Sequence, residues 1–156
     1  RDNTVINGNV DSELLEPFIM LAQNVHIEAV LGTLLYNEIV TQIQANDISA
    51  LNKKLIDDYV QPALVQWSLY EALPSLNYKV TNKAISTKNS DNSDPIQLDE
   101  LHYLRTNVRN VAEYMSERIT KYLHKNEVEY PLYCDNTEID EIRPSKSNYF
   151  SGIVFD

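Results

Sequence analysis

The sequence predicts a mainly α protein. It reads as a helical bundle with a kinked central helix, a long helix in the C-terminal half, a small β-hairpin and extended N- and C-terminal segments. Three observations predict it. Apolar residues recur at three- and four-residue steps over most of the chain, which is the helical period. Glycine is scarce, at 3 of 156 residues, which suits helices better than a turn-rich β-sandwich. The stretch 55–76, LIDDYVQPALVQWSLYEALPSL, is apolar almost all the way round, so it must be covered on several sides.

A chain of this length makes one domain and can bury a core without disulfides or metals. Three parts are expected. Residues 1–10 form an extended lead-in. Residues 11–133 form the helical domain, with a hairpin and loop at about 78–96. Residues 134–156 form an extended acidic tail with an aromatic tip.

In the first helix, Asp11 or Ser12 supplies a cap, and Glu13 and Glu16 suit the positive end of the helix dipole. Leu14, Leu15, Phe18, Ile19, Ala22 and Val25 mark its buried side. The pattern shifts phase around Asn24. Residues 25–31 then read as a further turn or short helix, stopped by Gly32. Thr33 can cap the next helix, with Leu34, Leu35, Ile39 and Ile43 buried and Asn46 and Asp47 ending it.

The central helix follows from Ser49. Leu55, Tyr59, Ala63, Trp67 and Tyr70 share one face, and Trp67 is the only tryptophan. Pro62 lacks a backbone donor and crowds the preceding turn, so it predicts a kink or break. Pro74 closes the helix or its last turn. The β-branched run 78–88 then suggests a ribbon turning near Asn82 and Lys83. Residues 89–94, NSDNSD, make a polar loop.

Residues 98–123 are cleanly helical. Leu101, Val108, Met115 and Tyr122 recur every seven residues, with Leu104, Val111, Ala112 and Ile119 completing the seam. This helix is expected to pack antiparallel on the central one. After it, Tyr130, Pro131, Leu132 and Tyr133 form an aromatic–proline knot that either seals the bundle end or makes an outer contact. The terminal cluster Tyr149, Phe150, Ile153, Val154 and Phe155 either folds back on its own domain or docks on a neighbour.

The net charge of −10 argues against binding nucleic acid through a basic patch and against adsorption to anionic membranes. An acidic surface suits solubility, or a conduit along which DNA slides without sticking. No signal peptide is apparent, and no apolar run approaches the ~18 residues that a membrane span needs. The sequence opens on Arg1 rather than Met, so a leading residue or segment is expected before it. A lone Cys134 rules out a disulfide within the chain.

Chemistry-bearing motifs are missing. His26, His102 and His124 are scattered, and no HExxH, CxxC, P-loop, GxGxxG or GxSxG pattern occurs. No catalytic, metal or cofactor residue is therefore assigned. The ten tyrosines point instead to packing and to contacts with other proteins.

Three stretches carry a resemblance: 21–39 (LAQNVHIEAVLGTLLYNEI), 62–85 (PALVQWSLYEALPSLNYKVTNKAI), and 110–133 with its AEYMSERITKYLHKN run and closing YPLY. Together they resemble head–tail connector proteins of tailed bacteriophages, the portal-adaptor rings of the neck in crAss-like phages. The resemblance spans roughly residues 14–133 and leaves the tail unmatched. It implies a non-enzymatic virion protein without cofactors, assembled in the bacterial host. It also implies a ring, commonly of twelve copies, that joins the portal protein to the next neck or tail ring and extends the DNA channel. DNA would touch it only non-specifically. The residues expected to make contacts are Tyr130, Pro131, Tyr133, Tyr149, Phe150, Ile153 and Phe155, with Lys79 and Lys83 of the hairpin. The competing expectation is a soluble acidic helical module that binds proteins and has no virion role.

Overall fold

A computed structural model of the chain describes residues 12–80, 85–87, 98–134 and 142–144. These residues are mainly helical. Helix α1 runs through Ser12–Ala22, a π-turn at Gln23–Ile27 and Glu28–Leu31. Helix α2 is Thr33–Gln44. Helix α3 runs through Ala50–Leu55, a π-turn at Ile56–Val60 and Gln61–Asn77. Helix α4 is Leu98–Lys125, and α5 is the short Pro131–Cys134. Strands β1 (Tyr78–Val80) and β2 (Ile85–Thr87) pair antiparallel, with Tyr78 opposite Thr87. Residues 81–84 between them, and Asp11 before α1, lie outside the described residues.

The two π-turns explain the phase of the core. Each adds one residue to a turn, closed by a bond from Glu28 N–H to Gln23 C=O in α1 and from Gln61 N–H to Ile56 C=O in α3. In α1 the buried stripe is therefore Ala22, Ile27 and Leu31, a five-residue step followed by a four. In α3 it is Leu55, Val60, Ala63 and Trp67, again with a five-residue step across the π-turn. The phase shift near Asn24 is this extra residue, and α1 continues through it to Gly32.

Several positions expected inside lie outside. Leu14 and Val25 of α1, Ile43 of α2 and Val111 of α4 are exposed. Val25 leaves the core because the π-turn rotates it away. Tyr59 and Tyr70 are half-buried beside the α3 stripe. Helix α3 continues through Pro62, which follows the π-turn after Gln61. A proline ring clashes with the carbonyl four residues back in a regular α-turn, and here that residue, Asp58, sits in the widened turn. Pro74 lies inside α3, which ends three residues later at Asn77.

The caps follow simple chemistry. Gly32 ends α1 at φ 77°, with its N–H bonded to Glu28 C=O at 2.8 Å. Thr33, expected as a cap, is the first residue of α2, and its hydroxyl donates to Glu28 Oε1 at 2.9 Å. Asn46 takes the left-handed conformation at φ 55° after α2. Ser49 caps α3 by accepting from Asn52 N–H at 3.1 Å. The buried Asn52 amide donates to Gln42 Oε1 at 3.0 Å, which meets its need for a partner.

Helix α3 is central: α1 and α4 both pack on it. It runs antiparallel to α4, because Tyr59 stacks on Tyr122, Trp67 bonds to Ser116 and Tyr70 lies under Arg105. The main core joins α1, α2, α3, the C-terminal half of α4 and the α5 region. A second cluster of Leu69, Leu73, Leu101 and Val108 holds the other end of the α3–α4 pair.

The expectation that no apolar run reaches membrane-spanning length does not hold. Residues Leu14–Leu31 reach that length and apolarity. A buried core helix and an N-terminal signal sequence pass the same test; here 17% of the span is buried, the Ala22–Ile27–Leu31 stripe that packs in the core.

Candidate functional site

The chain after α5 returns to its own domain. Ile142 C=O accepts from Thr33 N–H at 3.0 Å, and Ile142 N–H donates to Thr33 Oγ1 at 3.0 Å. Pro144 is buried against Gly32, where an added Cβ would stand 2.7 Å from Pro144 Cδ. The α1–α2 corner is thus built to receive the tail. Glycine is required there twice over, by its positive φ and by the close approach.

Beside this corner, α1, α3 and α4 enclose a groove of about 560 Å³. Its floor is Trp67, which is 7% exposed, together with Tyr70. The His26 ring lies flat on the indole, with centroids 3.7 Å apart and planes 5° from parallel. His26 Nε2 and Glu71 Oε1 are 2.8 Å apart, which fixes the imidazole from α3. Trp67 Nε1–H donates to Ser116 Oγ at 2.9 Å. Tyr70 meets His26 and Trp67 edge-on, and the Arg105 guanidinium stands 4.1 Å over its ring. The groove rim carries Val25 and Tyr114, 50% and 59% exposed. Glu113 and Glu117 supply carboxylates on α4, with Arg109 and Lys121 as their surface partners.

The one histidine in the groove is held by a carboxylate and a stacked ring, and the hydroxyls of Ser116 and Thr120 line the same groove. Among the described residues, no group of three or more His, Cys, Asp or Glu side chains is placed to hold a metal ion.

The contact residues expected from sequence separate into three groups. Tyr130 and Tyr133 are buried at the bundle end, so they are unavailable to a partner of the folded domain. Tyr130 O–H donates to Leu51 C=O at 3.1 Å. Its burial first, and its bond with Tyr122 second, raise its phenol well above the ordinary tyrosine range. Tyr133 stands edge-on to His124. The knot therefore seals the bundle, and the outer-contact alternative does not apply to these two rings. Pro131 is exposed at the first turn of α5, where a missing N–H costs nothing. Lys79 lies in β1 opposite Ser86. Lys83, Tyr149, Phe150, Ile153 and Phe155 lie outside the described residues.

Sequence reasoning missed the large apolar side chains that the helices leave in solvent. These include Leu14, Met20 and Leu21 on α1, and Tyr103 and Val111 on α4. The phase break at Asn24 accounts only for Val25; the exposed residues before it on α1 and those on α4 left no such signal.

The described residues form a small helical domain with a groove between α1, α3 and α4. Residues 27–143 match the family of unknown function DUF6712, and the chain belongs to that family. No curated protein and no solved structure matches it.

Proposed function

We propose that this protein is a virion structural subunit: a head–tail connector that forms a ring at the portal vertex, joins the portal protein to the next neck or tail ring and extends the DNA channel. The observation that carries the reading is the set of exposed apolar side chains on α1 and α4. Met20 is 63% exposed and Tyr103 is 70% exposed, with Leu14, Leu21 and Val111 also in solvent. Scattered exposed apolar residues are ordinary, but five large ones on two helices offer apolar area for association. The ring itself comes from the resemblance: a heterologous contact between copies makes a ring when the rotation closes. The resemblance to phage connectors supplies the setting, and twelve copies is the number it implies.

In this reading the protein works by contact alone and needs no cofactor. The net charge of −10 keeps passing DNA from adhering to the channel wall. The ribbon of β1 and β2, which carries Lys79, follows the end of α3 as a further contact element, and the exposed Pro131 adds another after α4.

The test is sedimentation of the full chain, alone and with portal protein, beside a Met20→Asp/Leu21→Asp variant. The reading expects multimers or portal-bound copies, and their loss in a variant that stays folded. A wild-type chain that remains monomeric and ignores portal overturns it.

A second reading is a soluble acidic module that binds other proteins. The observation favouring it is Pro144 seated on Gly32, since a tail that returns to its own domain has less reach to a neighbour.

A further inference from the structure

We propose that the groove floored by Trp67 is the docking site for this chain's own C-terminal segment, residues 145–156, bound on the domain from which it comes. The inference is independent of the ring reading and applies equally to a connector and to a soluble module.

Direction is the first argument. Ile142 pairs with Thr33, and two residues later Pro144 lies on Gly32. The tail therefore runs opposite to the α1–α2 chain and heads back along α1. The next residues of α1 in that direction include Val30 and Ala29, which line the groove.

Reach is the second. Val25, at the far end of that wall, is seven residues before Gly32, about 10 Å along a helix. Tyr149 is five residues beyond Pro144, a span of about 17 Å when extended. The aromatic cluster arrives at the groove without stretching the chain.

Chemistry is the third. The segment SKSNYFSGIVFD brings Tyr149, Phe150 and Phe155 to the exposed Tyr114 and Val25 of the rim, since His26 covers the Trp67 indole and Arg105 stands over Tyr70. Offset and edge-on packing of such rings is favourable beyond the area buried. Lys146 brings a cation toward Glu113 and Glu117, whose present partners Arg109 and Lys121 form only exposed pairs. A volume of about 560 Å³ is in the range of cavities that take a compact organic group, enough for one or two of these side chains.

Photo-cross-linking of the full-length chain tests the proposal, with Phe150→p-benzoylphenylalanine and an equal mixture of isotopically light and heavy protein. Cross-links are expected on residues 25–30 of α1 or 109–117 of α4, in peptide pairs of one isotopic type. Adding Ala29→Arg, which places a charged side chain in the groove wall, should remove most of that yield while circular dichroism stays unchanged. Mixed light–heavy pairs would assign the groove to a neighbour's tail and overturn the same-chain occupant. Cross-links elsewhere, or none, would overturn the groove itself.

Discussion

Pro144 packs on Gly32 so closely that a methyl group on that glycine would stand 2.7 Å from the proline ring. The contact ties the tail to the α1–α2 corner. Gly32→Ala pays twice, once for φ 77° and once for the displaced proline. The backbone cost alone is ~1–2 kcal/mol. Chemical denaturation should show at least that loss. Hydrogen exchange at the Thr33 amide, which is bonded to Ile142 C=O, should speed up more than exchange across α4. Unchanged protection at Thr33 would mean the tail is held by something other than this contact.

Trp67 joins the core to the groove. Trp67→Ala should cost ~3–5 kcal/mol, as for other large core truncations. Ser116→Ala removes only the partner of the indole N–H and should cost ~0.5–1.5 kcal/mol. Equilibrium unfolding of both variants checks the ratio. A Trp67→Ala loss below ~1 kcal/mol would contradict the central position of α3.

The π-turn in α3 and Pro62 are predicted to be coupled. Deleting Asp57 should convert the turn to a regular α-turn and keep Leu55 in line with Ala63, but the Pro62 ring would then meet a tight turn. The deletion alone should destabilise by up to ~3 kcal/mol. Pro62→Ala should recover much of that in the deletion background and far less in the wild type, a non-additivity that a double-mutant cycle measures. Additive effects would separate the two features.

Tyr130 titrates on the alkaline side. Its folded pKa is raised by burial and by Tyr122, so the folded protein keeps a proton that the unfolded chain loses above about pH 10. The stability this supplies is full below about pH 10 and is lost as pH rises toward the folded pKa. Tyr130→Phe should cost ~0.5–1.5 kcal/mol at neutral pH through the lost bond to Leu51 C=O. It should also flatten the alkaline decline, which thermal melts between pH 8 and 11.5 would show. An equally steep decline in the variant would place the titrating group elsewhere.

Much of the fold was legible in the sequence because helical periodicity is a strong signal over long stretches. Of the seven-residue repeat, Leu101 and Val108 are buried and Met115 and Tyr122 half-buried against the core; Ala112 and Ile119 complete the seam, while Val111 is exposed. The apolar stretch around Trp67 is the centre of the bundle. What periodicity hid was the insertion of single residues. A π-turn looks like a broken helix in sequence, so the helical period puts Val25 in the core, whereas the inserted residue turns it into solvent. The groove was less legible, because it depends on His26 meeting Trp67 across 41 positions of sequence. The aromatic–proline knot could be read two ways, and burial of Tyr130 and Tyr133 decides for packing.

The central claim is ring assembly on a portal. Its most direct test is electron microscopy of the full chain mixed with its portal protein. The account predicts a closed ring of copies docked coaxially on the portal, with the apolar residues of α1 and α4 at the subunit contacts. Bare portal particles at saturating concentrations of a folded, monomeric chain would contradict it.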